Sequence, residues 1–207
     1  MTAMAQARST LVDVAFALSG ATLPRDHRWL LAEALMRALP RLADWPGAGV
    51  HGIKVAPTAS ADALLPRRAR LMLRVPRAAL AALDALAGAA LDVGGHALRL
   101  GEVAVPRELQ PHRTLYAHLV AAEDANELAF LATVDAELAA LGVACRPICG
   151  RAQVLDCGGR TLAAFSLMLD GLADADALRL LDAGIGRHRL LGCGLFVPHR
   201  STAAVGT

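Results

Sequence analysis

A glycine-rich stretch near the C-terminal end is the segment of this 207-residue chain with the clearest capacity for chemistry. Residues 184–194 read GIGRHRLLGCG, so two Gly-x-Gly pairs flank five residues that include two arginines and a histidine. Glycines let a backbone with exposed N–H groups approach a ligand closely, and arginine side chains can clamp a phosphate. The alternative is a glycine-rich turn that leads into a final strand. The candidate ligand-binding residues of this loop are Gly184, Gly186, Arg187, His188, Arg189, Gly192 and Gly194.

A second segment, residues 23–29, reads LPRDHRW and places His27 in the first turn of a predicted helix, between Arg25 and Arg28. Asp26 is the predicted N-cap. A helix N-terminus favours a phosphate through its free N–H groups and its dipole, and an imidazole there could move a proton near neutral pH. The dipole and the two arginines should lower the pKa of His27. The alternative is a surface histidine beside a cap.

A third segment, VHGIK, begins a predicted strand at residues 50–55 and carries His51 and Lys54, the only lysine of the chain. The remaining histidines have no comparable surroundings and are interpreted as surface or structural residues, and Tyr116 as a packing residue. These histidines are His96, His112, His118 and His199.

Apart from Lys54, all of the 21 basic residues are arginine, and two arginine clusters contain no acidic residue. The clusters span residues 64–77 and 184–200. Arginine presents a planar fork that suits phosphates, so the clusters indicate a possible phosphate-binding surface. A solvated face and a codon bias towards arginine are the alternatives. From the first cluster we select Arg67, Arg68 and Arg70 as candidate phosphate contacts.

The composition excludes several classes of protein. Hydrophobic residues make up 55% of the chain, enough for a packed core, but no apolar run reaches the 18 residues of a membrane span. No signal peptide is evident, so we expect a cytoplasmic protein without a membrane partner. The four cysteines form no C-x-x-C pair, and we expect buried thiols, no metal and no cofactor. Serine-hydrolase and metalloprotease motifs are absent. With 3% aromatics, stacked aromatic platforms are not expected.

Hydrophobic periodicity predicts the same order of elements, β-α-β-β-α-β, in each half of the chain. The first half has strands at 11–18, 50–55, 68–75 and 96–105, and helices from His27 to Pro40 and from Pro76 to about Ala90. The second has strands at 114–121, 143–155, 160–168 and 189–197, and helices at 123–141 and 173–181. The predicted fold class is α+β, with two tandem ferredoxin-like domains at residues 1–105 and 106–207.

The tandem units, the histidine at the first helix and the Gly-h-Gly-x5-Gly-h-Gly loop together resemble the RAMP superfamily. More narrowly, the chain resembles the CRISPR-associated repeat-processing endoribonucleases, the Cas-six group, and the LPRDHRW segment is similar to the type I MYXAN subtype. The resemblance covers essentially the whole chain. Gly184, Gly186, Gly192 and Gly194 match the family loop without a gap, and His27 matches the catalytic histidine by position.

The resemblance implies a metal-independent cut in precursor CRISPR RNA at the base of the repeat hairpin. The 2′-OH would attack the adjacent phosphate and leave a 2′,3′-cyclic phosphate, or a 3′-phosphate, and a 5′-OH. His27 would act as base or acid, Arg25, Arg28 or Lys54 would stabilise charge, and His51 would be the second proton-transfer group. Other subunits of a CRISPR effector complex are further expected partners.

Two alternatives remain open at this point. The protein could bind the repeat hairpin without cutting it, as a structural subunit of an effector complex. Tandem ferredoxin-like units could also form a small-molecule regulatory or oligomeric module, because this fold supports many functions.

Overall fold

Two large antiparallel sheets organise the chain in a computed structural model that describes residues 8–56 and 60–199. Arg200, the last arginine of the second cluster, lies outside these ranges. The strands of the described residues are β1 (Leu11–Ser19), β2 (Thr22–Pro24), β3 (Gly49–Val50), β4 (Asp62–Leu64), β5 (Arg70–Pro76), β6 (Ala90–Val93), β7 (His96–Val103), β8 (Arg107–Glu108), β9 (Thr114–Ala122), β10 (Arg146–Asp156), β11 (Thr161–Asp170) and β12 (Val197–Pro198). The α-helices are α1 (Arg28–Ala38), α2 (Glu127–Leu141) and α3 (Asp174–Ala183), and 3₁₀ helices span Pro40–Asp44, Arg77–Leu86 and Arg189–Leu191.

The two sheets repeat one topology. The first sheet has the order β3-β5-β1-β7-β6, and the second has the order β10-β11-β9-β12. In the first sheet β1 lies between β5 and β7, and in the second sheet β9 lies between β11 and β12. The first strand of each β-α-β-β-α-β unit therefore lies between the third and the fourth, and all neighbouring strands are antiparallel. The predicted α+β class, with two ferredoxin-like units in tandem, is confirmed.

Alternation along the strands explains where each core lies. In β1, the residues Val12, Val14, Phe16 and Leu18 are all buried and pack with helix α1. The other face of β1 carries Asp13 and, towards its exposed end, Ala17 and Ser19. The second sheet is covered by α2 and α3, where the ring of Phe130 stacks on Phe165 at 4.7 Å.

Several predicted bounds were wrong around glycines. The strand predicted at 96–105 is β7, but the prediction missed β6 before it. The two strands form a hairpin because Gly94 and Gly95 both adopt positive φ in its two-residue turn. The final strand predicted at 189–197 is a 3₁₀ helix, Arg189–Leu191, followed only by the short β12. Positive φ at Gly192 and Gly194 interrupts an extended backbone there.

Two helices and one strand also differ from the prediction. The segment after Pro76 forms a 3₁₀ helix, Arg77–Leu86, instead of an α-helix up to about Ala90. Helix α2 begins at Glu127, because the Asn126 side chain accepts the N–H groups of its first turn. The strand predicted at 50–55 stops at Val50.

Buried polar contacts join the first half (β1–β8 and α1) to the second half (β9–β12, α2 and α3). Arg74 of β5 is 1% exposed and makes a bidentate ion pair with Asp13 of β1, at 2.8 and 3.0 Å. Its Nη1 donates to the carbonyl groups of Phe196 and Leu181 in the second half, at 3.0 and 3.4 Å. Burying this guanidinium requires such complete pairing, so it fixes how the halves meet.

The domain boundary between residues 105 and 106 remains a prediction. Strand β8 lies after that boundary and pairs with β1 at Val12 and Asp13, so it extends the first sheet. No helix among the described residues is long and apolar enough to span a membrane.

Candidate active site

His27 lies at the N-cap position of α1, where it is only 4% exposed. Its Nε2 accepts the N–H of Ile53 at 3.2 Å, and its Nδ1 lies 3.0 Å from the carbonyl oxygen of Pro24. Because Nε2 accepts, the ring proton belongs on Nδ1, which donates to Pro24. Burial lowers the pKa of His27; the Pro24 contact raises it, and the nearby Arg28 lowers it again. His27 is therefore neutral, with its Nε2 lone pair directed at the 51–54 segment.

The predicted N-cap role of Asp26 was wrong. The His27 side chain occupies that position without capping the helix, and the Asp26 carboxylate instead accepts the N–H of Asp156 at 2.8 Å. Asp156 lies at the tip of the β10–β11 hairpin, so Asp26 joins the start of α1 to the second half. Only the tertiary structure brings these two residues together.

Arg28 lies where the start of α1, the 51–54 segment and the glycine loop meet. Its Nη1 donates to the carbonyl oxygen of Leu191 at 3.1 Å. A Cβ at Gly52 would lie 2.4 Å from Arg28 Nη2, and a Cβ at Gly192 would lie 2.4 Å from its Nη1. Both glycines are therefore needed for the guanidinium to pass between them. Burial lowers the pKa of Arg28, but this cation stays charged at any physiological pH.

The glycine loop (residues 184–194) is closed on itself. A Cβ at Gly184 would lie 2.6 Å from the carbonyl oxygen of Gly194, and a Cβ at Gly194 would lie 2.2 Å from that of Ile185. The two Gly-x-Gly pairs thus allow two backbone segments to pack directly against each other. All four glycines have positive φ.

The predicted exposure of the loop's glycine N–H groups was wrong. Each of the four donates a hydrogen bond within the protein. Gly186 donates to the Glu137 carboxylate, and the other three donate to carbonyl groups of Leu180, Arg189 and Leu119, in the order Gly184, Gly192 and Gly194. These four glycine N–H groups are therefore not free for a phosphate.

The three basic side chains of the loop, Arg187, His188 and Arg189, differ in exposure. Arg187 and His188 are exposed, and His188 adopts a positive φ of 66°. Arg189 turns inward: its Nη1 donates to Ala183, and its Nε and Nη2 are buried without a partner among the described residues. Burial, with repulsion from Arg74, lowers the pKa of Arg189 to about 10. The structure therefore leaves Arg187 and His188 as the accessible pair.

His51 faces the Asp13–Arg74 ion pair. Its Nε2 lies 3.5 Å from Asp13 Oδ1, at the outer limit of a hydrogen bond, and its side chain is 14% exposed. Burial raises the pKa of Asp13, but hydrogen bonds from His51 and Arg74 outweigh it and hold that pKa well below its usual range. His51 thus faces the Asp13 carboxylate at the junction of the halves, and the hydrogen bonds of the His27 ring go to Pro24 and Ile53 instead.

The exposed basic residues predicted to bind RNA, and Lys54, which was predicted to stabilise charge in catalysis, lie in two groups. Lys54 follows Ile53, which is bonded to His27, and Arg25 precedes the same helix; both are exposed. Arg67 and Arg68 lie in the turn before β5 and are exposed. The third member of that cluster, Arg70, is exposed on β5, opposite Ala17 of β1. Their roles in RNA binding remain predictions.

Sequence analysis missed two features near the glycine loop. His118 of β9 is exposed, and Arg28 is close enough to influence its pKa. Both tryptophans, Trp29 and Trp45, line one depression of about 480 Å³ beside Arg187 and His188. No sequence spacing signals either grouping, because the residues belong to segments that only the fold brings together.

The described residues contain no group of three His, Cys, Asp or Glu side chains that could hold a metal ion. The cysteines are free thiols; Cys193 is buried, and the other three are half-buried, less than predicted. Burial raises the pKa of the Cys193 thiol to about 11.

Comparison with known proteins identifies the family. The family model described as Cas6 Crispr matches residues 12–201. The chain belongs to the Cas6 family. It is 35% identical over 195 residues to the CRISPR-associated endonuclease Cas6 of Myxococcus xanthus (strain DK1622), covering 94% of this chain and 84% of that relative. The predicted family and enzyme class, a CRISPR-associated endonuclease, are therefore confirmed.

Solved structures of Cas6 and RAMP proteins share the fold. A CRISPR-associated protein Cas6 aligns with a TM-score of 0.64 at 10% identity, covering 92% of this chain and all of that one. A structure titled as an RAMP protein binding different RNA substrates aligns at 0.59 and 11% identity, covering 91% of this chain and all of that one. At these identities the likeness concerns the fold alone, and it agrees with the tandem units described above.

Proposed function

We propose that this Cas6-family enzyme cuts precursor CRISPR RNA within the repeat, without a metal, by attack of a 2′-OH on the adjacent phosphate. The products are a 2′,3′-cyclic phosphate, or a 3′-phosphate after ring opening, and a 5′-OH. Family membership supports the RNA substrate, and solved structures with the same fold include a Cas6 substrate-mimic complex. The repeat hairpin, and other subunits of a CRISPR effector complex, are the proposed partners.

The observation that carries this proposal is the position of Arg28 between Gly52 and Gly192, beside His27. A cation held there can neutralise the additional negative charge of a pentacoordinate phosphorane. Lys54 and Arg25 are exposed on the segments that flank it and supply further positive charge for the RNA backbone. Each of these groups is a protein side chain, so the proposed reaction uses no cofactor.

His27 is the proposed general base. Its Nδ1 is bound to a carbonyl group, which orients the ring and keeps the lone pair on Nε2. Nε2 now accepts the N–H of Ile53, so the 51–54 segment must shift before Nε2 can take the proton of a 2′-OH. Catalytic hydrogen bonds of a free enzyme commonly rearrange in this way when substrate binds.

The test uses purified enzyme and labelled repeat RNA in EDTA, with RNA carrying a 2′-deoxy group at the cut site as the control. We expect one cut that persists in EDTA and disappears with the 2′-deoxy RNA. His27→Ala should abolish cutting and retain RNA binding. A cut that requires added Mg²⁺, or that persists in the 2′-deoxy RNA, would overturn the proposed chemistry.

A second candidate function is repeat-RNA binding without cleavage. The observation in its favour is the burial of His27, with both ring nitrogens already bonded. It predicts tight, salt-dependent binding and no cut in the same assay.

A further inference from the structure

His118 is an exposed histidine of β9 in the second half, close enough to Arg28 for that cation to lower its pKa. We propose that His118 is the second proton-transfer group of the RNA cleavage, the general acid that protonates the 5′-oxygen as it leaves. This inference rests on the proposed metal-free cleavage. It takes the place of His51, whose Nε2 lies 3.5 Å from the Asp13 carboxylate.

Strand β9 leaves the side chain of His118 exposed. Its strand neighbours Ala117 and Leu119 are buried in the core, while His118 is exposed. Among the described residues no hydrogen bond occupies either of its ring nitrogens. The position is fixed on both sides, because Gln153 donates to the carbonyl oxygen of His118 at 2.9 Å and Gly194 donates to that of Leu119 at 2.7 Å.

The glycine loop brings Arg28 towards this histidine. Gly194 binds the residue next to His118, and three positions earlier in the loop Leu191 accepts the guanidinium of Arg28. Partial burial and the charge of Arg28 both lower the pKa of His118. The glycine loop therefore holds a cation of the first half near an imidazole of the second half. An RNA phosphate bound between them would pair with Arg28 and favour the protonated imidazole.

The exposure of the two rings assigns their roles. His27 is 4% exposed and neutral, so it suits the base. His118 is exposed and can take a proton from solvent before each turnover, so it suits the acid. In the step, His27 Nε2 accepts the 2′-OH proton while the 2′-oxygen bonds to phosphorus. The bond from phosphorus to the 5′-oxygen breaks, and the imidazolium of His118 gives that oxygen its proton.

The test compares wild type with His118→Gln on two RNAs in single-turnover assays. One RNA is unmodified, and the other carries a bridging 5′-sulfur at the cut site, because a thiolate leaves without a proton. His118→Gln should slow cleavage of the unmodified RNA by roughly 10²–10⁴-fold, as expected for loss of a general acid. On the sulfur substrate it should match wild type. His96→Gln is the control variant, since His96 contacts Thr22 and Asp62 away from Arg28.

The outcomes separate this inference from the proposed function. If wild type does not cut the unmodified RNA, the proposed function fails. If wild type cuts and His118→Gln cuts equally fast, His118 transfers no proton. If the variant is equally slow on both substrates, the acid role is wrong. Melting temperature and RNA affinity of the variant are measured alongside, and His118→Asn replaces it if the glutamine destabilises the strand.

Discussion

Gly194→Ala and Gly186→Ala form a matched pair that tests the closed glycine loop. Both residues have positive φ, at 67° and 73°, so each alanine carries a cost of about 1–2 kcal/mol for the left-handed backbone. The space around them differs. An added Cβ at Gly186 meets Val120 at an ordinary 3.5 Å, whereas at Gly194 it lies 2.2 Å from the carbonyl oxygen of Ile185.

Because the atom in the way at Gly194 belongs to the backbone, it cannot swing aside as a flexible side chain would. Overpacking of this kind costs about 1–3 kcal/mol beyond the backbone term. We therefore expect Gly194→Ala to lower the free energy of unfolding more than Gly186→Ala does. For a chain of this size each kcal/mol lowers the melting temperature by about 2–4 °C.

Urea unfolding followed by circular dichroism measures both variants against wild type. Gly95→Ala is the control, since its φ is 86° and an added Cβ meets nothing within 4 Å. Gly186→Ala and Gly95→Ala should lose similar stability, and Gly194→Ala should lose more. Equal losses in all three would refute the close backbone approach that explains the motif.

Three further results are expected. Arg187→Ala should weaken RNA binding and reduce the slope of log K against log salt by about 0.7–0.9, whereas Arg189→Ala, whose side chain is turned inward, should chiefly lower thermal stability. Asp13→Asn should cost about 3–5 kcal/mol by leaving the buried Arg74 uncompensated. Because the pKa of Asp13 is lowered in the fold, wild type keeps this stabilisation above the ordinary carboxyl pKa of about 4 and loses it as pH falls further, and urea titrations of Asp13→Asn should lack that loss. The Cys193 thiol, with its pKa raised to about 11, should react with a thiol reagent at pH 8 only after unfolding, as a timed absorbance assay would record.

Local sequence patterns predicted the main strands of both sheets well, because the alternation of buried and exposed residues is visible within a few positions of the sequence. Alternation in β1 and β9 identified the central strand of each sheet, and Gly142 ended α2 with the left-handed cap that its sequence indicates. The glycine loop was also found from the sequence, and its four glycines share a structural requirement, a positive φ. Their spacing could not show that the partner of each N–H lies inside the protein.

The site itself depended on contacts between distant segments. Asp26 looked like a helix cap, but its partner Asp156 lies 130 positions further along the chain. Arg189 looked like a phosphate contact, and only the packing of α3 turns it inward. His118 had no motif of its own, since its significance comes from Arg28 on another element. Long-range pairings of this kind leave no periodic signal in a single sequence.

The contact of Arg74 with the end of α3 has a consequence for how such chains can be recombined. The guanidinium reaches the carbonyl group of Leu181, in the last turn of the helix that leads directly into the glycine loop. A cation suits a helix C-terminus, so the first half orients the entry to a loop that belongs to the second. The two similar units are therefore not interchangeable cassettes. A chimera of two relatives would need to keep Asp13 and Arg74 together with the α3 and loop that they support.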